Sequence, residues 1–247
     1  MDPYRFMLSC IDLTTLEGSD NRGRITEICR KALSFADYGL PLPAAVCIYP
    51  VFVGLASQTL KGTGIRVASV AGAFPGGQSP LTLRLEEVRY AINEGADEID
   101  MVISRGRLLE GDENFVFDEI AAIREVCNKV LLKVILETGE LRSPAFIRKA
   151  SEIAISAGAD FIKTSTGKIQ PAATEEAAQV MMDVIREHHE KNRKKVGIKL
   201  AGGITTPEQA MKYYHLTERI LGETWLNKDL FRIGASRLAD VLAQKIQ

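Results

Sequence analysis

The sequence has few of the residues that form disulfides, bind metals or hold nucleotides. Its four cysteines are widely spaced and form no Cys-x-x-Cys pair, so we predict neither a disulfide framework nor a zinc site. The histidines His188, His189 and His215 fall in segments of helical spacing, where adjacent side chains point in different directions. No Walker or dinucleotide fingerprint occurs. We therefore expect no metal ion and no cofactor.

Long apolar runs and an excess of charge of either sign are also missing. The longest apolar region, residues 40–56, contains three prolines and falls short of the roughly 20 residues that cross a bilayer. The 31 Lys and Arg residues nearly balance 32 Asp and Glu residues, and the N-terminus lacks the pattern of an export signal. We expect a cytoplasmic protein in a reducing compartment, with neither a nucleic-acid nor a membrane partner.

The chain does contain a regular alternation of short apolar runs and longer segments with helical spacing. The apolar runs predict strands at residues 8–12, 44–49, 66–71, 98–103, 131–136, 160–165, 196–200 and 230–234. The longer segments predict helices near residues 20–38, 51–61, 81–94, 113–127, 144–157, 174–191, 207–221 and 236–245. Strict alternation implies a parallel sheet, and eight units in 247 residues predict a single (β/α)₈ TIM barrel as one catalytic domain, residues 1–247.

A short internal sequence repeat links the fourth and sixth predicted strands. Residues 92–100 (INEGADEID) and 155–163 (ISAGADFIK) share a helix end, a Gly-Ala-Asp turn and the start of a strand. Asp100 and Lys163 therefore lie at the same offset. Because alternate strands of a barrel supply one layer of inward side chains, we expect these two charges to face each other across the lumen.

Three apolar strands carry a lysine in their middle: Lys133, Lys163 and Lys199. Each could lie at a strand end and reach solvent or a carboxylate, because an unpaired buried ammonium is costly. If Lys163 and Lys199 lie side by side, each disfavours the other's charge, and a neutral amine can attack a carbonyl to form a Schiff base. Asp100 would then transfer protons or, in the alternative interpretation, only neutralise Lys163.

Glycine turns follow the last two predicted strands. Residues 201–205 (AGGIT) follow strand seven, and residues 234–236 (GAS) follow strand eight and open the final helix. Bare backbone N–H groups at such turns suit a phosphate dianion, although a Gly-Gly pair is also an ordinary turn. Their position matches the phosphate site common in (β/α)₈ barrels.

Seven segments spread over nearly the whole chain carry a family resemblance. They are residues 11–16 (IDLTTL), 45–50 (AVCIYP), 95–102 (GADEIDMV), 132–141 (LKVILETGEL), 158–168 (GADFIKTSTGK), 197–203 (GIKLAGG) and 232–236 (RIGAS). These segments resemble the deoxyribose-phosphate aldolases, class I enzymes that reversibly cleave 2-deoxy-D-ribose 5-phosphate into D-glyceraldehyde 3-phosphate and acetaldehyde. The block at residues 158–168 is highly specific.

The resemblance implies a role for each matching residue. Lys163 would be the Schiff-base lysine, Lys199 the lysine that lowers its pKa, and Asp100 the proton-relay aspartate. Lys133 would balance charge beside them. Two groups would bind substrate: Asp12, Thr14 and Cys47 along the channel, and Gly167, Lys168, Gly202, Gly203, Gly234 and Ser236 near the phosphate. The resemblance also implies a phosphosugar and aldehydes as small-molecule substrates, and a homodimer.

Three features depart from the family pattern. Leu200 stands where many members have proline, and Arg237 stands where some have a second serine. We expect Leu200 to alter its loop slightly and Arg237 to strengthen anion binding. The chain ends at Gln247 without the tyrosine tail that reaches the site in some members, and we expect an N-terminal helix of some relatives to be missing or reduced.

Two other functions stay open on the sequence alone. One is a sugar-phosphate isomerase that uses Asp100 or Glu137 as a base without a covalent imine. The other is a phosphosugar-binding barrel without turnover. The joint presence of Lys163, Lys199 and Asp100 argues against the second.

Overall fold

Eight parallel strands form a closed barrel in the computed structural model, which describes residues 2–141 and 143–247. The strands are β1 (Ile11–Thr14), β2 (Ala45–Ile48), β3 (Arg66–Ala71), β4 (Glu98–Val102), β5 (Leu131–Ile135), β6 (Phe161–Lys163), β7 (Gly197–Ala201) and β8 (Phe231–Ala235). Each strand pairs with the next, and β8 pairs with β1. The predicted (β/α)₈ fold is confirmed.

Helices alternate with the strands and surround the barrel. They are α1 (Pro3–Ser9), α2 (Arg22–Ser34), α3 (Val53–Thr59), α4 (Leu81–Asn93), α5 (Arg105–Leu109), α6 (Glu113–Cys127), α7 (Thr138–Leu141), α8 (Pro144–Ser156), α9 (Glu175–Asn192), α10 (Pro207–Leu221) and α11 (Leu238–Ile246). Single 3₁₀ turns lie at Phe35–Tyr38, Pro50–Phe52 and Glu223–Trp225. Within the described residues, none of these helices combines the length and apolar character that a membrane span requires.

The starts of α8 and α10 follow from local capping chemistry. The Thr206 side chain accepts a hydrogen bond from the backbone N–H of Gln209, whose own side chain accepts from the backbone N–H of Thr206. Ser143 caps α8 through its hydroxyl oxygen, and a proline occupies the first turn of both helices. The predicted starts of these two helices are confirmed.

The first strand lies further along the chain than predicted. We expected a strand at residues 8–12, but Leu8 belongs to α1 and β1 runs from Ile11 to Thr14. The Asp2 carboxylate caps α1, and Pro3 begins it, so local chemistry favours a helix. A short apolar run does not distinguish a buried helix from a strand by periodicity. The N-terminal helix is therefore present, but it is only seven residues long.

Alternation along the strands separates the main core from the lumen. Outward side chains pack against the helices and form one large apolar core, whereas inward side chains fill the barrel. Apart from Arg66 at the start of β3, the inward residues of β2 and β3 are small and apolar. They are Ala45, Cys47, Ala68 and Val70, and we call them the apolar wall. On β4 to β8 every strand contributes at least one charged inward residue, so the lumen has one apolar and one charged side.

The lumen is closed at the amino ends of the strands. Gly197 has no side chain, and the Phe161 ring fills the space, because a Cβ at position 197 would meet that ring. The guanidinium carbon of Arg232 lies 5.8 Å from the centroid of the Phe161 ring. Arg232 also pairs with the buried Glu98 carboxylate at 2.8 Å. We call these four residues the floor of the lumen; Lys163 lies above it, two residues further along β6.

Candidate active site

Three lysines and one aspartate meet inside the barrel, one from each of the strands β4 to β7. Asp100 Oδ1 accepts a hydrogen bond from Lys133 Nζ at 2.8 Å. Its other oxygen accepts from Lys163 Nζ at 2.8 Å and from Lys199 Nζ at 2.7 Å. Each of the four residues is 2% exposed or less. The prediction that Asp100 and Lys163 face each other is confirmed as a direct contact.

Further ion pairs join these groups to the floor. Asp12 pairs with Lys199 Nζ at 2.5 Å and with Arg232 at 2.6 Å, and Glu98 pairs with both Lys133 and Arg232. The fully buried members of this connected set are here called the lumen charge network; Arg66, whose side chain is partly exposed, also pairs with Glu98 at 3.2 Å and is not counted in it. Its members are Asp12, Glu98, Asp100, Lys133, Lys163, Lys199 and Arg232.

The lumen charge network is balanced when one of its lysines is neutral. Fully ionised, it holds four cations and three carboxylates. Uncompensated charge is strongly disfavoured in a buried site. Among the described residues Lys163 pairs with Asp100 alone, whereas Lys133 and Lys199 each pair with further carboxylates. Lys163 is therefore the amine that gives up its proton most readily.

The directions of the pKa shifts agree with this count of charges. Burial, assisted by the charge of Lys199, lowers the pKa of Lys163 despite its contact with Asp100. Burial opposes the charge of Lys199 too, but Asp100 and Asp12 outweigh it and raise the pKa of Lys199. The two lysines disfavour each other's charge as expected, but for Lys199 the two carboxylates outweigh this effect, so its pKa is raised and not lowered. The site thus sets an amine with a lowered pKa, Lys163, beside a lysine with a raised pKa, Lys199.

Asp100 stays ionised, and its neighbour Cys47 stays neutral. Burial alone would raise the pKa of Asp100, but Lys133, Lys163 and Lys199 hold that pKa well below its usual value. Cys47 Sγ lies 3.9 Å from Asp100 Oδ2, and burial raises the pKa of the thiol. The carboxylate therefore lies between the lysines and the apolar wall.

A cavity of about 610 Å³ opens above Lys163, at the carboxyl ends of the strands. Eight of the predicted residues line it: Thr14, Lys163, Gly167, Lys168, Gly202, Gly203, Gly234 and Ser236. Four other predicted residues lie fully buried beneath it: Asp12, Cys47, Asp100 and Lys199. Among the described residues, Lys163 is the member of the lumen charge network that lines the cavity.

The glycine turns approach one another on one side of this cavity. Gly167 and Gly202 have φ angles of 80° and 85°, which favour glycine. A Cβ at position 202 would lie 2.5 Å from Ala172 Cβ, so the close approach also requires glycine. Ser236 lies two residues before the start of α11, since the helix begins at Leu238 and not at the predicted residue 236.

Cations surround the same side of the cavity. Lys168 Nζ donates to Glu17 at 3.1 Å, and Lys31 Nζ lies 2.6 Å from Asp240. Arg24 and Arg237 also line the cavity. Sequence reasoning missed Lys31 and Arg24, because they lie on α2 outside every motif and only the closure of the barrel brings them here.

Sequence reasoning also missed Glu98 and Arg232 as members of the network. A signal for both was present in the strand alternation. Glu98 lies two residues before Asp100, and Arg232 lies two residues before Gly234, so each shares the inward face of its strand.

Comparison with known proteins yields a consistent group of relatives. Residues 6–215 match the DeoC/LacD family of aldolases. A deoxyribose-phosphate aldolase of Mus musculus is 45% identical over 249 residues, which cover 96% of this chain and 78% of the mouse protein.

Solved structures of similar proteins share the fold. A Coccidioides immitis protein, provisionally described as a deoxyribose-phosphate aldolase, has a TM-score of 0.83 at 29% identity, covering 99% of this chain and 87% of that chain. The tetrameric deoxyribose phosphate aldolase of Aeropyrum pernix has a TM-score of 0.77 at 25% identity, covering 98% of this chain and 92% of that chain. The chain, with Lys163 at the base of its cavity, therefore belongs to the DeoC/LacD family of aldolases.

Proposed function

We propose that the chain reversibly cleaves 2-deoxy-D-ribose 5-phosphate into D-glyceraldehyde 3-phosphate and acetaldehyde through a Schiff base on Lys163. One observation carries the proposal. Lys163 is the amine of the lumen charge network that lines the cavity, and it is the lysine whose pKa is lowered. The identity of 45% to the mouse deoxyribose-phosphate aldolase supports the choice of substrate.

The reaction begins with attack of the neutral Lys163 amine on the C1 aldehyde of the open-chain sugar. Loss of water forms a protonated imine, which withdraws electrons from the bond between C2 and C3. As this bond breaks, its electron pair forms an enamine, and the C3 hydroxyl loses its proton to become the aldehyde of glyceraldehyde 3-phosphate. Protonation of C2 and addition of water then release acetaldehyde and restore the amine.

Asp100 is the group proposed to move protons during these steps. Its carboxylate is ionised and lies 2.8 Å from Lys163 Nζ, so it can accept a proton from the carbinolamine or the C3 hydroxyl, directly or through a water molecule. It can return that proton to the enamine carbon. The apolar wall beside Asp100 suits the methyl group of the two-carbon fragment.

The substrate phosphate is proposed to bind at the glycine turns. Backbone N–H groups at Gly167, Gly202, Gly203, Gly234 and Ser236 suit a dianion, and Lys168 adds a positive charge. Arg237, one of the departures from the family pattern, adds a second cation to this end of the cavity.

Trapping with borohydride tests the covalent step. Acetaldehyde with borohydride is expected to leave a two-carbon adduct on Lys163, mapped by peptide mass spectrometry, and deoxyribose 5-phosphate with borohydride should modify the same peptide. An isomerase without an imine would leave the peptide unmodified. A binding protein without turnover would release no acetaldehyde from deoxyribose 5-phosphate in a coupled dehydrogenase assay.

Substitution of Lys199 by methionine is expected to move the acid limb of the kcat/KM profile to higher pH. The reactive form of Lys163 is the deprotonated amine, which predominates above its pKa. Removing the neighbouring positive charge raises that pKa, so less neutral amine is present at a given pH, and activity on the limb falls about tenfold for each pH unit that the limb moves. The measurement is kcat/KM against pH. An unmoved limb would remove Lys199 from this role.

Substitution of Lys168 by glutamine is expected to raise KM for deoxyribose 5-phosphate roughly ten- to a hundredfold. A hydrogen bond to a charged group contributes about 1.5–3 kcal/mol, and about 1.4 kcal/mol corresponds to a factor of ten. Acetaldehyde has no phosphate, so its rate of trapping on Lys163 should not change. Equal KM values in the variant and the parent protein would contradict a phosphate contact at Lys168.

A cytoplasmic homodimer completes the proposal. Sedimentation analysis of the purified protein would distinguish a dimer from the tetrameric state described for the Aeropyrum pernix relative.

A further inference from the structure

Glu137 is a buried carboxyl group that the proposed reaction does not use. It lies two residues after the end of β5, it is fully buried, and it is not among the described residues that line the cavity. Burial raises its pKa, although hydrogen bonds from Thr166 oppose the shift. A buried carboxyl group with a specific partner calls for an explanation other than chance placement.

The partner of Glu137 belongs to the turn proposed to hold the phosphate. Glu137 Oε1 accepts a hydrogen bond from the backbone N–H of Thr166 at 3.2 Å, and its Oε2 accepts from the Thr166 hydroxyl. The Thr166 hydroxyl oxygen in turn accepts from the backbone N–H of Lys168 at 3.1 Å. One carboxylate therefore orients the backbone on both sides of Gly167.

The backbone at Glu137 lies in a conformation that glycine would adopt more easily. Its φ angle is +57°, in the left-handed region that side chains rarely occupy. Such strain is kept where the surrounding structure needs that side chain in that place. The strained backbone aims the carboxylate from the end of β5 toward the end of β6.

Two neighbouring contacts fix the same pair of loops. The backbone N–H of Thr138 donates to the Thr164 carbonyl at 2.9 Å. Gly139 packs directly against the Pro171 carbonyl, where a Cβ would clash. The loop after β5 thus packs against the loop after β6. The Glu137 carboxylate is the group of the first loop that accepts hydrogen bonds from the turn at residues 166–168.

We infer that Glu137 is a positioning residue for phosphate recognition, acting through Thr166 on the N–H groups of Gly167 and Lys168. The inference rests on the proposed function. Without the carboxylate, the turn loses the bonds that orient it, and phosphorylated ligands bind more weakly. The reaction of Lys163 with a small unphosphorylated aldehyde does not depend on this turn.

Four variants test the inference. Glu137→Gly removes the carboxylate and suits the φ angle, Thr166→Val removes the hydroxyl, Thr166→Ser restores it, and Glu140→Gln is the control for losing a carboxylate from the same loop. Three quantities are measured: KM for deoxyribose 5-phosphate, the inhibition constant of inorganic phosphate, and the rate of acetaldehyde trapping on Lys163. Circular dichroism establishes that each variant is folded.

The expected pattern separates binding from chemistry. Glu137→Gly and Thr166→Val raise KM and the phosphate inhibition constant roughly ten- to a hundredfold, while acetaldehyde trapping stays near that of the parent protein. Thr166→Ser recovers most of the affinity, and Glu140→Gln leaves both constants unchanged.

Three results would overturn the inference: unchanged phosphate constants in Glu137→Gly, equal losses in trapping and in phosphate affinity, or failure of both Glu137→Gly and Thr166→Val to fold. If the parent protein traps no acetaldehyde, the proposed function fails instead. Direct calorimetric binding of inorganic phosphate to the same variants still decides the role of Glu137.

Discussion

Replacing Lys163 with methionine is expected to abolish acetaldehyde trapping and to lower kcat for deoxyribose 5-phosphate by on the order of 10⁴-fold or more, as loss of a covalent nucleophile does in other enzymes. The variant should nevertheless fold as stably as the parent protein. The lumen charge network is balanced when Lys163 is neutral, so methionine removes a nucleophile without leaving a carboxylate uncompensated. Trapping with mass mapping, a coupled aldehyde assay and thermal unfolding measure the three quantities.

A surface lysine provides the control for this variant. Lys129 is exposed, and Lys129→Met should leave trapping, turnover and the unfolding temperature unchanged. If Lys163→Met still formed a reducible adduct inside the barrel, another amine would be the nucleophile, and Lys199 would be the first to map. A large loss of stability would show instead that Lys163 is charged in the resting protein.

Replacing Asp100 with asparagine should lower kcat by about 10²- to 10⁴-fold, the range that positioned proton transfer supplies. This variant should also lose stability, because Asp100 pairs with all three buried lysines, Lys133, Lys163 and Lys199. Removing one member of a buried ion pair typically costs about 3–5 kcal/mol. Single-turnover kinetics and urea unfolding measure the two effects separately.

The exposed Asp118 offers a matched control, since Asp118→Asn changes the same functional group on the surface of α6. Turnover close to that of the parent protein in a folded Asp100→Asn variant would favour the alternative interpretation of Asp100. The aspartate would then only neutralise its lysine neighbours, and another group or a water molecule would have to carry the protons.

Most of the barrel follows from patterns that lie within single segments. The predicted strands at residues 66–71, 98–103 and 131–136 start at the observed residues, because β-branched runs bounded by turns define them locally. The helices α5 and α7 were missed because five and four residues are too few to show a helical period. The first strand failed for a different reason: capping by Asp2 outweighed the apolar run that follows it.

The site was predictable to the extent that its residues share a repeat or a motif. The sequence repeat shared by β4 and β6 is sufficient to predict that Asp100 and Lys163 face each other, and the two side chains are in contact. The protonated state of Lys199 was not predictable in this way, because it depends on Asp12, which only barrel closure brings to it. The bond from Glu137 to Thr166 likewise joins two loops with no sequence pattern in common.

Because the floor closes the amino ends of the strands, the lumen opens to solvent at their carboxyl ends. Phe161 and the Arg232–Glu98 pair leave no route out below Lys163 among the described residues, so both products must depart through the cavity above it. In the proposed reaction the two-carbon fragment is still covalently attached to Lys163 after bond cleavage, and the phosphorylated aldehyde lies between it and solvent. Release is therefore expected to be ordered, with glyceraldehyde 3-phosphate leaving first and acetaldehyde second. In the synthetic direction the order reverses, so acetaldehyde is expected to bind first. An excess of the phosphorylated aldehyde is then expected to block the cavity before acetaldehyde has reached Lys163.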